Sequence, residues 1–248
     1  MDWKTFARGI LVVTEKNMRI YYFKGPVVVF GLLFPLLMFF TFFIGRNLDI
    51  VLFFPGFLGM MLFFTASSVG PLITPWEKRD KTYERLISLP VILENIIIGD
   101  LLAGAIFGIG ITTLVFAVSA LLLHLPIASA GLLALGFVLG SIAFAALGSL
   151  LASPTTDNPS NIMMLSSLVR LPLIFVSGIF IPLGQLSGWE WYLTSLSPLT
   201  YLVDLFHGAL NGDAVYPPWI DALVLVLVIL VFVWCAKVIQ KRNLVKGI

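Results

Sequence analysis

The side chains able to do chemistry in this 248-residue chain are few, and most of them stand together. Glu77, Lys78, Arg79, Asp80, Lys81, Glu84 and Arg85 form a charged island between two long apolar runs. Charges at that density do not sit in hydrocarbon, so the island projects into water. The chemistry it offers is docking, through salt bridges to a soluble partner; a plain solvated loop is the alternative. Arg170 is the other conspicuous group, isolated in an apolar run just before Leu171 and Pro172. A guanidinium at the bilayer centre costs about 2.5–3.5 kcal/mol on an insertion scale. It is either an anion contact or a snorkelling, helix-bonded side chain, and Pro172 would kink its helix and free carbonyls for it.

The remaining titratable groups suggest structure rather than catalysis. Glu94 and Asp100 flank the start of an apolar run and suit ion pairs with the basic island. A proton relay needs a chain of such groups across the membrane, and none is visible. His124 and His207 stand alone, with no second metal ligand at useful spacing. Asp204 and His207, three residues apart, suit a structural hydrogen bond. Ser-His-Asp, H-E-x-x-H, C-x-x-C and paired-carboxylate patterns are absent, as is the phosphate-binding G-x-x-x-x-G-K-[ST] loop. The single cysteine, Cys235, excludes an intrachain disulfide framework. No nucleic-acid signature is present.

The elements that must position these groups are apolar helices. The chain is 59% hydrophobic and 11% charged, with mean hydropathy +1.04, well outside the range of soluble domains. Apolar runs near the ~20 residues needed to cross a bilayer predict six spans, at 26–44, 51–74, 96–123, 128–152, 162–181 and 220–239. The fold class is therefore an all-α integral membrane protein, with 1–248 as a single transmembrane domain. Thirteen of the fifteen Lys and Arg residues fall in the N-terminal segment, the island and the C-terminal end. Six spans put all three on one side, which the positive-inside rule makes cytoplasmic. Both termini then face the cytoplasm.

Two segments complete the layout. Residues 1–25 read as an interfacial amphipathic helix, with Trp3, Phe6, Ala7, Ile10, Leu11, Met18, Tyr21 and Tyr22 near one face. Residues 183–210, between spans five and six, are aromatic and broken by Pro198 and glycines. They suit outer re-entrant helices at the membrane interface, marked by Trp189, Pro198, Tyr201 and Asp204. The spacings Gly104/Gly108 and Gly136/Gly140 permit close helix contact within one subunit. No internal repeat is evident, which argues against an inverted-repeat transporter.

The island, at Glu77, Arg79, Thr82, Tyr83, Glu84, Arg85, Leu86, Pro90 and Val91, resembles the cytoplasmic loop of type-2 ATP-binding-cassette exporter permeases, the drug-efflux and polysaccharide-export group. A second match runs Ser177-Gly178-Ile179-Phe180-Ile181-Pro182, then Leu186, Trp189, Ser197-Pro198-Leu199-Thr200-Tyr201 and Asp204. The chain departs at Lys81, where glycine is usual, at Tyr83, where an aliphatic residue is commoner, and at Asp100, where a basic residue often follows the glycine.

The resemblance implies a permease in the cell membrane that works as a dimer, with a second copy of itself as the expected companion. Two separate ATP-binding subunits, holding ATP and Mg, would power it. Loop 75–92 would couple to them, through Glu77, Arg79, Thr82, Tyr83, Glu84 and Arg85. Arg170, Phe34 and Phe180 become candidates to line the path, and other phenylalanines of the first two spans, Phe54, Phe63 and Phe64 among them, offer an apolar lining. Membrane lipid is the remaining partner. The alternatives are a non-transporting membrane assembly or secretion-complex subunit, and an ATP-independent carrier or membrane enzyme. Substrate and direction are not encoded in any motif.

Overall fold

A computed structural model describes residues 3–22, 24–43, 49–82, 92–154, 158–181 and 183–245. The regular elements among these residues are all helical. They are α1 (Trp3–Ile20), α2 (Gly25–Val28), a π turn (Val29–Leu33), α3 (Phe34–Phe43), α4 (Ile50–Ser67), α5 (Gly70–Arg79), α6 (Leu93–Leu123), α7 (Ala130–Leu151), α8 (Pro159–Val176), a 3-10 turn (Leu183–Gln185), α9 (Trp189–Ser195), α10 (Pro198–Leu210) and α11 (Pro218–Val245).

Local chemistry sets the ends. The Asp49 carboxylate accepts from the Val51 N–H at 2.9 Å, and the Asn158 side chain accepts from the Ser160 N–H at 3.0 Å. Each satisfies a donor that the first turn leaves idle. Prolines open α8, α10 and α11, where a missing N–H costs nothing. His124 closes α6 in the left-handed region, at φ 51°, and starts the hairpin to α7.

Among the described residues, four helices are long and apolar enough to cross a membrane: Ile50–Arg79, counted through the bend between α4 and α5, Leu93–Leu123, Ala130–Leu151 and Pro218–Asn243. Ser160–Val176 is apolar but shorter. The first expected span is helical over Gly25–Phe43 but divided by the π turn. Over their described residues the six apolar segments are mainly helical, but the first is divided by the π turn, the second by a bend between α4 and α5, and the fifth is shorter than expected.

α4 is the centre of the bundle. It packs against α3, α6, α7 and α10, and 78% of the most apolar window of Ile50–Arg79 is buried, against 11% for Pro218–Asn243. Phenylalanines build this core. Phe63 meets Phe144 edge-on at 4.8 Å, Phe34 meets Phe64 at 4.9 Å, and Phe137 meets Phe206 at 5.5 Å. Phe54, Phe63 and Phe64 are almost fully buried inside this one chain, so they are core residues and not an apolar lining. A Cβ on Gly108 would lie 2.8 Å from the Ala66 Cβ, and one on Gly136 2.6 Å from the Phe206 ring. Both small-residue motifs thus pack helices within the chain, as anticipated.

The second span departs from expectation. It bends at Ser68–Val69 and continues helically to Arg79, so Pro75–Arg79, expected in the loop, are helix. Pro71 is the cause. It has no N–H for the carbonyl four residues back, that of Ser67, and its ring crowds that turn.

Candidate functional site

The charged island joins α5 to α6, and α1 holds both of these stems. On the α6 side, the Thr14 hydroxyl is within reach of the Gly99 carbonyl at 3.2 Å, Asn17 Nδ2 donates to Asp100 at 2.6 Å, and Asn95 Nδ2 donates to the Phe6 carbonyl at 2.9 Å. Gly99 allows this approach, because a Cβ there would fall 2.6 Å from Val13 Cγ1. On the α5 side, Lys16 forms an ion pair with Glu77, whose side chain is only 4% exposed. Tyr21 stacks on Trp76 at 5.7 Å, and Lys24 stands 4.3 Å from the Trp76 ring centre. Burial, and then Glu77, push the Tyr21 phenol above its ordinary range.

These contacts revise the reading of α1. Its buried line is Val13, Thr14 and Asn17, continued by Tyr21 and Tyr22, whereas Trp3 and Leu11 are exposed together with Val12 and Ile20. Among the described residues, the acids near α6, expected to pair with the island, are held by other groups. Asp100 accepts from Asn17, and Glu94 pairs with Lys237 of α11 at 2.9 Å. Asp100, one of the departures from the family pattern, is thus absorbed by an α1 side chain that sequence reading did not single out.

Of the expected coupling residues, Glu77 faces inward to Lys16. Arg79 is exposed and bonds Asp80 at 3.2 Å. Thr82 is exposed, with its backbone N–H donating to the Glu77 carbonyl at 2.9 Å. Tyr83, Glu84 and Arg85 lie outside the described residues. Lys81 has φ 55°, the left-handed region that glycine takes without strain. The glycine usual at this position in the resembling loops has a physical reason here.

Arg170 lies on α8, 7% exposed, and its Nη2 donates to the Ser67 carbonyl. The freed carbonyl is therefore not one released by Pro172 in its own helix, but one released by Pro71 in α5. Arg170 Nε and the Ser166 hydroxyl, both buried, have no hydrogen-bond partner. A cavity of about 30 Å³ is lined by Ser68, Pro71, Leu72, Met163, Ser166, Ser167 and Arg170. The other pathway candidates lie elsewhere: Phe34 against Phe64 in the core, and half-buried Phe180 stacked on Phe175 at 5.7 Å.

The segment 183–210, expected to be outer and re-entrant, contains two unlike α-helices, α9 and α10. α9 exposes Trp189 and Tyr192, and Leu196 just after it is exposed too, whereas almost every residue of α10 is buried. Tyr201 donates to the Ser195 carbonyl at 2.9 Å, tying the two across Pro198. Asp204 accepts from the Val215 and Tyr216 N–H groups at 2.9 and 2.8 Å, which fixes the turn leading to α11. His207 pairs with Asp213 at 3.4 Å and not, as expected, with Asp204. No group of three or more metal-ligating side chains occurs among the described residues. Asp221, on α11, was not picked out from the sequence; it is fully buried with neither carboxylate oxygen hydrogen-bonded.

Compared with known protein families, residues 8–211 match the model described as "ABC2_membrane: ABC-2 type transporter". The match takes in most of α1, the island, Arg170, α9 and α10, and ends before α11. Comparison with curated proteins gives no match.

Proposed function

Because this chain belongs to the ABC-2 type transporter family, we propose that it is the membrane-spanning permease of an ATP-driven exporter, working as a dimer with two separate ATP-binding subunits. It is a multi-pass membrane transport protein. The observation that carries the coupling proposal is the clamp of α1 on both stems of the island. Lys16 ties α1 to α5, and Thr14, Asn17 and Asn95 tie it to α6.

A partner pressing on the island would meet a braced unit rather than two loose ends. α5 and α6 would move together with α1, which suits transmission of a rigid-body shift. α5 in turn packs on α8, which carries Arg170, and the bend at Ser68–Val69 offers a pivot. In this reading Glu84 and Arg85 contact the partner, and Arg79 and Thr82 stand at the edge of that contact. Glu77 acts from behind, by holding α5 to α1. ATP and Mg would be held by the partner, in keeping with the missing phosphate loop in this sequence.

Six crossings, with both termini and the island cytoplasmic, follow from the placement of Lys and Arg. The surface of α1 turned away from the bundle mixes the exposed Leu11, Val12 and Ile20 with the exposed Lys4, Arg8, Glu15 and Arg19, a combination that suits the lipid headgroup layer. α9, with Trp189 and Tyr192 exposed, would sit at the opposite interface, with α10 re-entering the bundle beneath it.

Co-expression with candidate ATP-binding subunits, followed by mass measurement of the purified assembly, tests this reading. The expected result is two copies of this chain with two ATPase subunits. A chain that binds no such subunit but forms a stable complex with another membrane protein would instead support an assembly component.

A further inference from the structure

Arg170 poses a charge problem that no described neighbour solves. Its guanidinium is buried in the middle of a helix bundle, bonded to a neutral carbonyl, and no described carboxylate lies within ion-pair distance of it. An uncompensated buried cation is costly in an apolar medium. The groups around it are arranged for one more acceptor. Arg170 Nε and the Ser166 hydroxyl are both more than nine-tenths buried, both unpartnered, and both belong to residues that line the same cavity.

We infer that this cavity is an intramembrane anion site, which takes the phosphate or carboxylate head of an amphipathic molecule between Arg170 and Ser166. A volume of about 30 Å³ holds one or two water-sized groups. It therefore suits the oxygen edge of a small anionic head and excludes a bulky one. A planar guanidinium offers two parallel N–H donors to such an edge, and a serine adds a third. Ser167, which also lines the cavity, is exposed, so the cavity opens along that side of α8. Met164 and Leu168, 72% and 70% exposed on the same helix, offer apolar surface beside the mouth for an attached tail.

A second copy of this chain is a poor source of the missing anion. The acidic residues within its long apolar helices, Asp100 and Asp221, are 5% and 0% exposed inside their own chain. Asp204 on α10 is likewise only 1% exposed, and the other described acids stand outside the long apolar helices or within three residues of their ends. The anion is then a small molecule, and the two available sources are an amphiphile from the membrane and a free phosphate from water. This deepens the permease reading by naming a substrate class. Its test needs neither ATP nor a partner, so a failure here leaves that reading standing.

The test is ligand-induced thermal stabilisation of the full chain in a neutral detergent. The probes are dioctanoyl phosphatidic acid, dioctanoylglycerol, which has the same tails and no phosphate, and inorganic phosphate. Saturable stabilisation by dioctanoyl phosphatidic acid and none by dioctanoylglycerol is expected. Arg170→Gln should weaken that binding at least about tenfold, and Ser166→Ala about three- to tenfold, in line with the loss of charge-assisted hydrogen bonds. Inorganic phosphate binding as tightly, with the same dependence on Arg170 and Ser166, would keep the anion site and make the free ion its occupant. Equal stabilisation by dioctanoylglycerol, or affinities unchanged in both variants, overturns the proposal. If Arg170→Gln does not fold, Ser166→Ala decides, because it leaves the bond to Ser67 intact.

Discussion

Arg170 donates to the carbonyl of Ser67, 103 residues away in sequence, the acceptor that Pro71 leaves idle. A bend in one helix and a cation in another are thus two halves of one device. Pro71→Ala restores an N–H to that turn and gives Ser67 its ordinary partner. Loss of Arg170 should therefore cost less in that background. In a double-mutant cycle, Arg170→Met should be less costly by about 1 kcal/mol with Ala at 71 than with Pro. Additive effects would mean that the two residues do not share the Ser67 carbonyl.

Lys81 takes a left-handed backbone conformation that favours glycine, at φ 55°. Lys81→Gly removes that strain, offset in part by the greater freedom of glycine in the unfolded chain. The net gain should be about 0.5–1 kcal/mol, read as a rise in Tm. A fall in Tm would show that the lysine side chain contributes more than its backbone strain costs.

The α1 clamp makes two separable predictions. Gly99→Ala places a Cβ 2.6 Å from Val13 Cγ1, and overpacking of that kind costs about 1–3 kcal/mol. Lys16→Met leaves Glu77 buried without its cation, which should cost about 2–3 kcal/mol, toward the lower end for a broken buried pair because Lys16 is partly exposed. Lys16→Met with Glu77→Leu should recover much of that loss. A double variant as unstable as Lys16→Met alone would show that the ion pair does not brace α5.

Labelling tests the sidedness. With Cys235→Ala as background, Lys81→Cys should react with an impermeant maleimide only after the cytoplasmic face is opened, and Ser187→Cys, at an exposed position before α9, should react in intact cells. The reverse pattern, or both sites on one side, would invalidate the six-crossing layout.

Much of this architecture is legible in the sequence because hydrocarbon imposes long uninterrupted apolar runs. α6, α7 and α11 fall close to their expected limits for that reason, and the island stands out because its charges have nowhere else to go. What stayed hidden depends on pairing between distant segments. Pro71 is visible four residues after Ser67, yet nothing local says that the replacement donor comes from α8. Glu77 reads as one more loop charge until Lys16 is placed against it. Thr14 and Asn17 look like breaks in an apolar face, and only the approach of α6 at Gly99 makes them its contact line. α10 carries the aromatic, proline-led pattern of an interfacial segment, but surrounding helices bury it. Lys81 was marked as an oddity by its chemistry, and its backbone angle supplies the reason.

The central claim is that the island, braced by α1, couples this permease to an ATP-binding partner. The most direct test is ATPase activity of the co-purified complex in lipid, compared between the unaltered chain and Glu84→Ala with Arg85→Ala. Lys16→Met serves as a probe of the brace behind the contact. The double variant should lose most of the activity gained over the ATPase subunit alone. Lys16→Met should form the complex but lower that activity severalfold. Activity unchanged in both variants, in complexes of normal composition, would contradict that claim.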